Sequence, residues 1–119
     1  KDNLNGLAER NRIIKNLLAI KCKKLYDHMV NMYDVKPEML VTEWVLDLFS
    51  HTIPLAQYKD FLSRFIKHKW KYLYQVIIQL FKEMTIFLVK IDDFGDIIEF
   101  VKKYVNNKTD WKTTLFEAE

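Results

Sequence analysis

The stretch Pro37-Glu-Met-Leu-Val-Thr-Glu-Trp44-Val-Leu-Asp-Leu48-Phe49-Ser-His-Thr-Ile-Pro54-Leu55 decides the fold. Its apolar residues come in pairs, Leu40/Val41, Trp44/Val45 and Leu48/Phe49, a spacing that puts one wide apolar stripe on a helix. Ser50-His51-Thr52 is a polar break. Pro54 then reopens a helix, because its fixed φ and missing N–H suit a first helical turn. Leu55, Tyr58, Phe61/Leu62 and Phe65/Ile66 carry a second stripe. Lys67-His68-Lys69 interrupts it, and Trp70, Leu73/Tyr74, Ile77/Ile78 and Leu80/Phe81 carry a third. Three amphipathic helices on short connections must fold back on one another to hide those faces. Trp44, Phe49, Pro54, Phe61, Phe65, Trp70 and Ile77 are therefore the predicted core.

Outward from this centre, Leu7, Ile13/Ile14 and Leu17/Leu18 predict a first helix over Leu4–Ile20. Leu25/Tyr26, Met29/Val30 and Tyr33 predict a second over Cys22–Tyr33, or a continuation of the first. Asp34-Val35-Lys36 connects to the next N-terminus, where Glu38 suits the helix dipole. The third-stripe helix extends to about Leu88. Asp92 or Asp93 then caps a helix bearing Phe94, Ile97/Ile98, Val101 and Tyr104/Val105, which Asn106-Asn107 ends. Trp111, Leu115 and Phe116 show no clear period, so residues 106–119 read as a tail: a short helix docked on the bundle, or a loose end. The expected fold is all-α, an orthogonal or irregular bundle of five to seven helices on short loops. No linker divides it, and residues 1–119 read as one helical domain.

Composition agrees. Half of the 119 residues are hydrophobic, enough for one core. Two Gly and two Pro are too few for a β-sandwich of this length. The net charge of +3 comes largely from lysines spread over helical faces, whereas a nucleic-acid module concentrates its basic residues. Cys22 is the single cysteine, so no intrachain disulfide forms, which fits a reducing compartment. The longest apolar run is too short for a bilayer, and no signal peptide opens the chain. The first residue is a lysine rather than a methionine, which reads as a segment of a longer protein.

The residue types that carry chemistry are present without the spacing that chemistry needs. His28, His51 and His68 have no metal-ligand spacing with each other or with Cys22, and the chain implies no metal and no cofactor. Cys22 reads as a small core hydrophobe. Two glycines cannot build a phosphate-binding loop. Asp92-Asp93 precedes a strong helix and reads as a cap rather than an acid–base pair. Lys67, Lys69 and Lys71 flank Trp70 as a base-stacking cluster would, but Trp70 is in register with Leu73, Tyr74 and Ile77 and reads as core. Residue patterns alone thus give an all-α domain without a catalytic site and without a nucleic-acid partner.

The central stretch resembles the C-terminal half of a TBC domain, the Rab GTPase-activating domain. The likeness lies in Trp44, Leu48-Phe49, the break Ser50-His51-Thr52, and Ile53-Pro54. It continues through Phe61-Leu62-Ser63, Phe65, Lys69-Trp70, Tyr74 and Val76. Upstream, Leu25-Tyr26-Asp27-His28-Met29 resembles the family's Leu-x-x-His-Leu segment, and the likeness spans Leu4 to Tyr104. The family's Trp-Asp is Leu62-Ser63 here, and the Gly that often precedes its second Trp is Lys69.

The resemblance implies an arginine finger in an Ile-x-x-Asp-x-x-Arg pattern and a glutamine finger in a Tyr-x-Gln pattern, both in the other half of the domain. Arg10, Arg12 and Arg64 sit in no such pattern, and Gln57, Gln75 and Gln79 lack a Tyr two positions before, so no catalytic residue carries over. The implied role is a lobe that supports the finger-bearing N-terminal lobe and offers part of the docking surface for a Rab-family small GTPase. Lys59, Lys67 and Lys69 are the candidate contacts. The implied setting is cytoplasmic, peripheral on vesicle or organelle membranes. The alternative is a helical protein–protein interaction module without GTPase-activating activity.

Overall fold

The computed structural model describes the backbone of residues 2–119 and side chains from Gly6 onward. Among the described residues there are seven α-helices, one π-helical segment and no strand, with 79% of the chain helical. The most deeply buried element is helix α5, Trp70–Leu88. Tyr72, Leu73, Val76, Ile77, Ile78, Leu80, Phe81, Met84 and Leu88 are all buried along it. A helix apolar on so much of its circumference must be packed over most of it, and α5 is so packed, with Lys71, Lys82 and Ile86 among the residues left exposed.

Helix α1 (Asp2–Lys21) and helix α4 (Leu55–His68) lie against α5, as do helix α6 (Phe94–Asn106) and helix α7 (Trp111–Ala118). Between α1 and the central stretch comes a short helix α2 (Lys23–Tyr26), which runs into the π-helical segment Asp27–Met32. The wider turn ends at Asp34, with φ of 58°, and Val35 N–H returns to the Met29 carbonyl at 2.9 Å. That bond turns Val35 fully inward, although it lies in a predicted connector.

Helix α3 (Glu38–Asp47) ends in a Schellman motif. Leu48 takes the left-handed conformation, and Phe49 N–H reaches the Trp44 carbonyl at 3.1 Å. The hydrophobic contact that accompanies such a cap is the Phe49 ring stacked on Trp44, centroids 5.5 Å apart. Leu48 and Phe49 both hold positive φ without being glycine, which costs about 1–2 kcal/mol per residue. Burial of Phe49 and the Tyr58 hydroxyl, which donates to the Leu48 carbonyl at 2.7 Å, hold the turn in place.

Pro54 belongs to the surface, not to the predicted core. Its work is local: the ring fixes φ at −55°, and its carbonyl accepts from Gln57 and Tyr58 N–H to start α4. Leu55 and Ile66, predicted in the buried stripe, are 84% and 66% exposed. Helix α4 buries a narrower arc than its composition suggests, because Phe61 is its one buried residue and Tyr58, Leu62 and Phe65 fill the flanks. Phe65 and Trp70 are half-buried.

Aspartates cap the last two helices. Asp93 accepts from Asp96 N–H at 3.0 Å, and Asp110 from Thr113 N–H at 3.1 Å. Residues after Lys108 thus form a docked helix, with Trp111 and Leu115 fully buried. The Tyr72 hydroxyl donates to the Leu115 carbonyl at 2.9 Å. Glu83 ties the same region together: its carboxylate accepts from Tyr104 at 3.1 Å, Lys108 at 2.8 Å and Thr114 at 2.7 Å.

Candidate docking surface

The seven residues predicted as core do not end up in one place. Six of them face the interior to differing degrees, and five join an aromatic ladder. Trp44 stacks on Phe49, Phe49 meets Phe61 at 5.7 Å, Phe61 meets Phe65 at 5.9 Å, and Phe65 meets Trp70 edge-on at 5.4 Å. Ile77 is buried beside them on α5, and Pro54 stands outside. Edge-on and offset contacts at these distances suit the ring quadrupoles.

Arg10 closes the ladder. Its guanidinium carbon lies 3.4 Å from the Trp70 centroid, and Nη1 donates to the Tyr74 hydroxyl at 3.2 Å. Trp70 is therefore covered on one face by Arg10 and met by Phe65, so it is no open platform for a base. Arg12 pairs with Glu9, Oε2 at 2.6 Å. Arg64 pairs with Glu119 at 2.9 Å, and that hydrogen bond holds the Glu119 carboxyl below its ordinary range. All three arginines are thus engaged within the chain.

The constellations that resemble catalytic sites resolve into structural contacts. Asp47 and Ser50 both approach Nδ1 of His51, at 2.9 and 3.5 Å. A nucleophilic triad needs the hydroxyl and the carboxylate on opposite ring nitrogens. Cys22 is buried, and burial pushes its thiol upward while the Lys82 charge works the other way. Its thiolate is disfavoured, so it is a poor nucleophile. His28 Nε2 lies 2.7 Å from the Ile91 carbonyl and braces the loop before α6. No group of three potential metal ligands converges among the described residues.

Two of the exposed large apolar residues, Leu55 and Ile66, lie on the outer side of α4. Leu55, Lys59 and Ile66 fall at i, i+4 and i+11, on one stripe of the helix, and all are exposed. Lys67 is exposed beside it. Lys69, exposed in the turn to α5, holds φ of 61° and ψ of −145°. That region is essentially reserved for glycine, and a side chain there costs on the order of 1–3 kcal/mol. The structure therefore puts all three candidate contact lysines on or directly after α4.

Comparison with protein-family models matches residues 1–88 to the Rab-GTPase-TBC domain. The chain belongs to this family. The match covers 88 of 119 residues and closes with α5. It stops short of Tyr104, where the resemblance was expected to end. Helices α6 and α7 lie beyond it, held to the TBC portion by the Glu83 cluster. No curated protein and no solved structure matches the chain.

Sequence reasoning missed several residues of this TBC chain. Arg10 carries no signal of its stacking partner, which is 60 positions away. Tyr72 sits between the two apolar registers of α5 and becomes visible only when the helix is surrounded. Trp111 had a usable signal in Asp110, an N-cap residue type directly before it.

Proposed function

We propose that this chain is the C-terminal lobe of a Rab GTPase-activating domain and that the outer side of α4, with the Lys69 turn, touches the GTPase. The observation that carries the reading is Lys69. A lysine held in glycine's backbone region, where the family often has Gly, is a strained residue beside an exposed apolar and basic stripe. Strain of this kind clusters at sites where a side chain has work to do. Leu55 and Ile66 supply apolar contact, and Lys59, Lys67 and Lys69 meet an acidic partner surface.

The chain supplies no catalytic finger in this reading. An arginine finger must be free to reach the transferred phosphoryl group and neutralise its developing charge; Arg10 and Arg64 are held by Trp70 and Glu119, and Arg12, in an exposed pair with Glu9, lies outside the Ile-x-x-Asp-x-x-Arg pattern. The N-terminal lobe of the same domain brings the fingers. The parent acts in the cytoplasm, at vesicle or organelle surfaces.

Association kinetics of the intact domain with GTP-loaded Rab proteins test the surface. Rim charges act mainly through association rate. Reversing Lys59, Lys67 and Lys69 to Glu slows association at low salt if α4 docks; an unchanged rate rejects it.

A further inference from the structure

Two cavities lie along the seam of α1, α2 and α5, away from the α4 stripe. The first, of about 360 Å³, is lined by Lys21, Lys71, Lys82, Tyr74, Gln75 and Glu117 among others. The second, of about 340 Å³, is lined by Lys21, Lys23, Lys24, Lys82, Cys22 and Thr85 among others. They share Lys21 and Lys82, and so join as one trough. Lysine 71, one of the three lysines around Trp70, belongs here rather than to the α4 face.

The trough is unbalanced in charge. Among the described residues, Lys21, Lys24, Lys71 and Lys82 form no ion pair, while Lys23 is bound to Asp27 at 3.1 Å. Glu117, from the end of α7, is the one carboxylate lining either cavity. Elsewhere among the described residues Lys36, Lys103 and Lys108 hold acidic partners, while Lys59, Lys67, Lys90 and Lys102 among others do not; what distinguishes the trough is that Lys21, Lys23, Lys24, Lys71 and Lys82 line two cavities with shared walls. Like charges gathered along one depression repel one another and raise the positive potential over it. Lysine ammonium groups bind phosphate as point charges and need no fixed fork geometry. Tyr74, Gln75, Gln79 and Thr85 add neutral polar groups beside the apolar Leu17, Leu25, Ile78 and Ala118.

We propose that this trough binds a compact polyphosphate anion, of the class of a multiply phosphorylated polyol ring, either free or as a lipid headgroup. At about 360 and 340 Å³ the two depressions match a small ring in size rather than a duplex or a partner helix. The assignment stands apart from the GTPase reading.

The test is calorimetric titration of the 119-residue chain with inositol hexakisphosphate at low salt. Saturable binding is expected, falling with added salt. Lys21→Gln with Lys82→Gln weakens it about tenfold or more, since both residues line both cavities and each loses a charge contact. Lys59→Gln with Lys67→Gln, at positions lining neither cavity, leaves it unchanged. These lysines are exposed, and circular dichroism confirms that the variants fold. Flotation with phosphatidylcholine vesicles, with and without a phosphatidylinositol bisphosphate, separates the sources. Vesicle binding competed by the hexakisphosphate supports the lipid source; hexakisphosphate binding alone supports the soluble one. No binding, equal binding by the Lys21/Lys82 variant, equal loss in the Lys59/Lys67 variant, or tighter binding of an acidic peptide or an oligonucleotide overturns the proposal.

Discussion

The guanidinium of Arg10 sits over the Trp70 ring, 3.4 Å from its centroid, and joins the first helix of the chain to the turn between α4 and α5. A cation over an indole contributes about 0.5–2 kcal/mol, depending on desolvation. Replacing Arg10 with Ala removes this contact and the bond to Tyr74. The denaturation midpoint then corresponds to a loss of about 1–2 kcal/mol. Trp70→Ala costs less than Trp44→Ala, because Trp70 is half-buried while Trp44 is packed between Phe49 and Phe81. Equal losses would contradict the placement.

Lys69→Gly is expected to stabilise the fold. It relieves a side chain from φ of 61° and ψ of −145°, worth on the order of 1–3 kcal/mol before the greater freedom of glycine in the unfolded chain is counted. Urea denaturation measures it. The same variant slows association with the partner GTPase if the ammonium takes part in docking, so stability and binding move in opposite directions.

Glu83 and Lys108 have side chains only 20% and 10% exposed, 2.8 Å apart. Glu83→Leu strands a largely buried ammonium and the hydroxyls of Tyr104 and Thr114, costing about 3–5 kcal/mol. The double variant Glu83→Leu with Lys108→Met regains most of that loss. Calorimetric melting of the two variants gives the comparison, and a double variant as unstable as the single one would argue against a charge-pair origin.

Alkaline pH isolates two tyrosines. Burial pushes the Tyr72 phenol to about 12, against an opposing pull from Arg64, and burial with Glu83 pushes Tyr104 to about 12. Their folded values lie above the unfolded value of 10.0. The neutral phenols therefore contribute stability that is complete below about pH 10. It is lost as pH rises towards about 12, where the unfolded chain has already ionised. Tyrosinate absorbance in the folded protein should show these two groups ionising after the more exposed ones.

Much of the fold was legible in the chain. Paired apolar residues at helical spacing placed α3, α5 and α6, and the Asp92-Asp93 pair announced a cap, which the structure assigns to Asp93. The outward turn of Leu55 and Ile66 was not legible, because an exposed apolar stripe and one that faces the core obey the same spacing. The π-helical segment at Asp27–Met32 has no periodic signature, and the positive φ of Leu48, Phe49 and Lys69 contradicts local preference. Tertiary contacts such as the Phe49–Trp44 stack decide those positions. The candidate lysines were visible as charges, but the strain at Lys69 that distinguishes it was a matter of backbone alone.

The central claim is that this chain is a supporting lobe that supplies no catalytic arginine. Single-turnover hydrolysis by a panel of GTP-loaded Rab proteins tests it most directly. An arginine finger is worth roughly 10³–10⁵ in rate, and binding without contacts to the transition state leaves the barrier unchanged. The account predicts no acceleration by the 119-residue chain, with activity appearing once the upstream segment of the domain is added. Acceleration by the chain alone above about tenfold, far below the value of a finger, that disappears on replacing Arg10, Arg12 or Arg64 with Ala would contradict it.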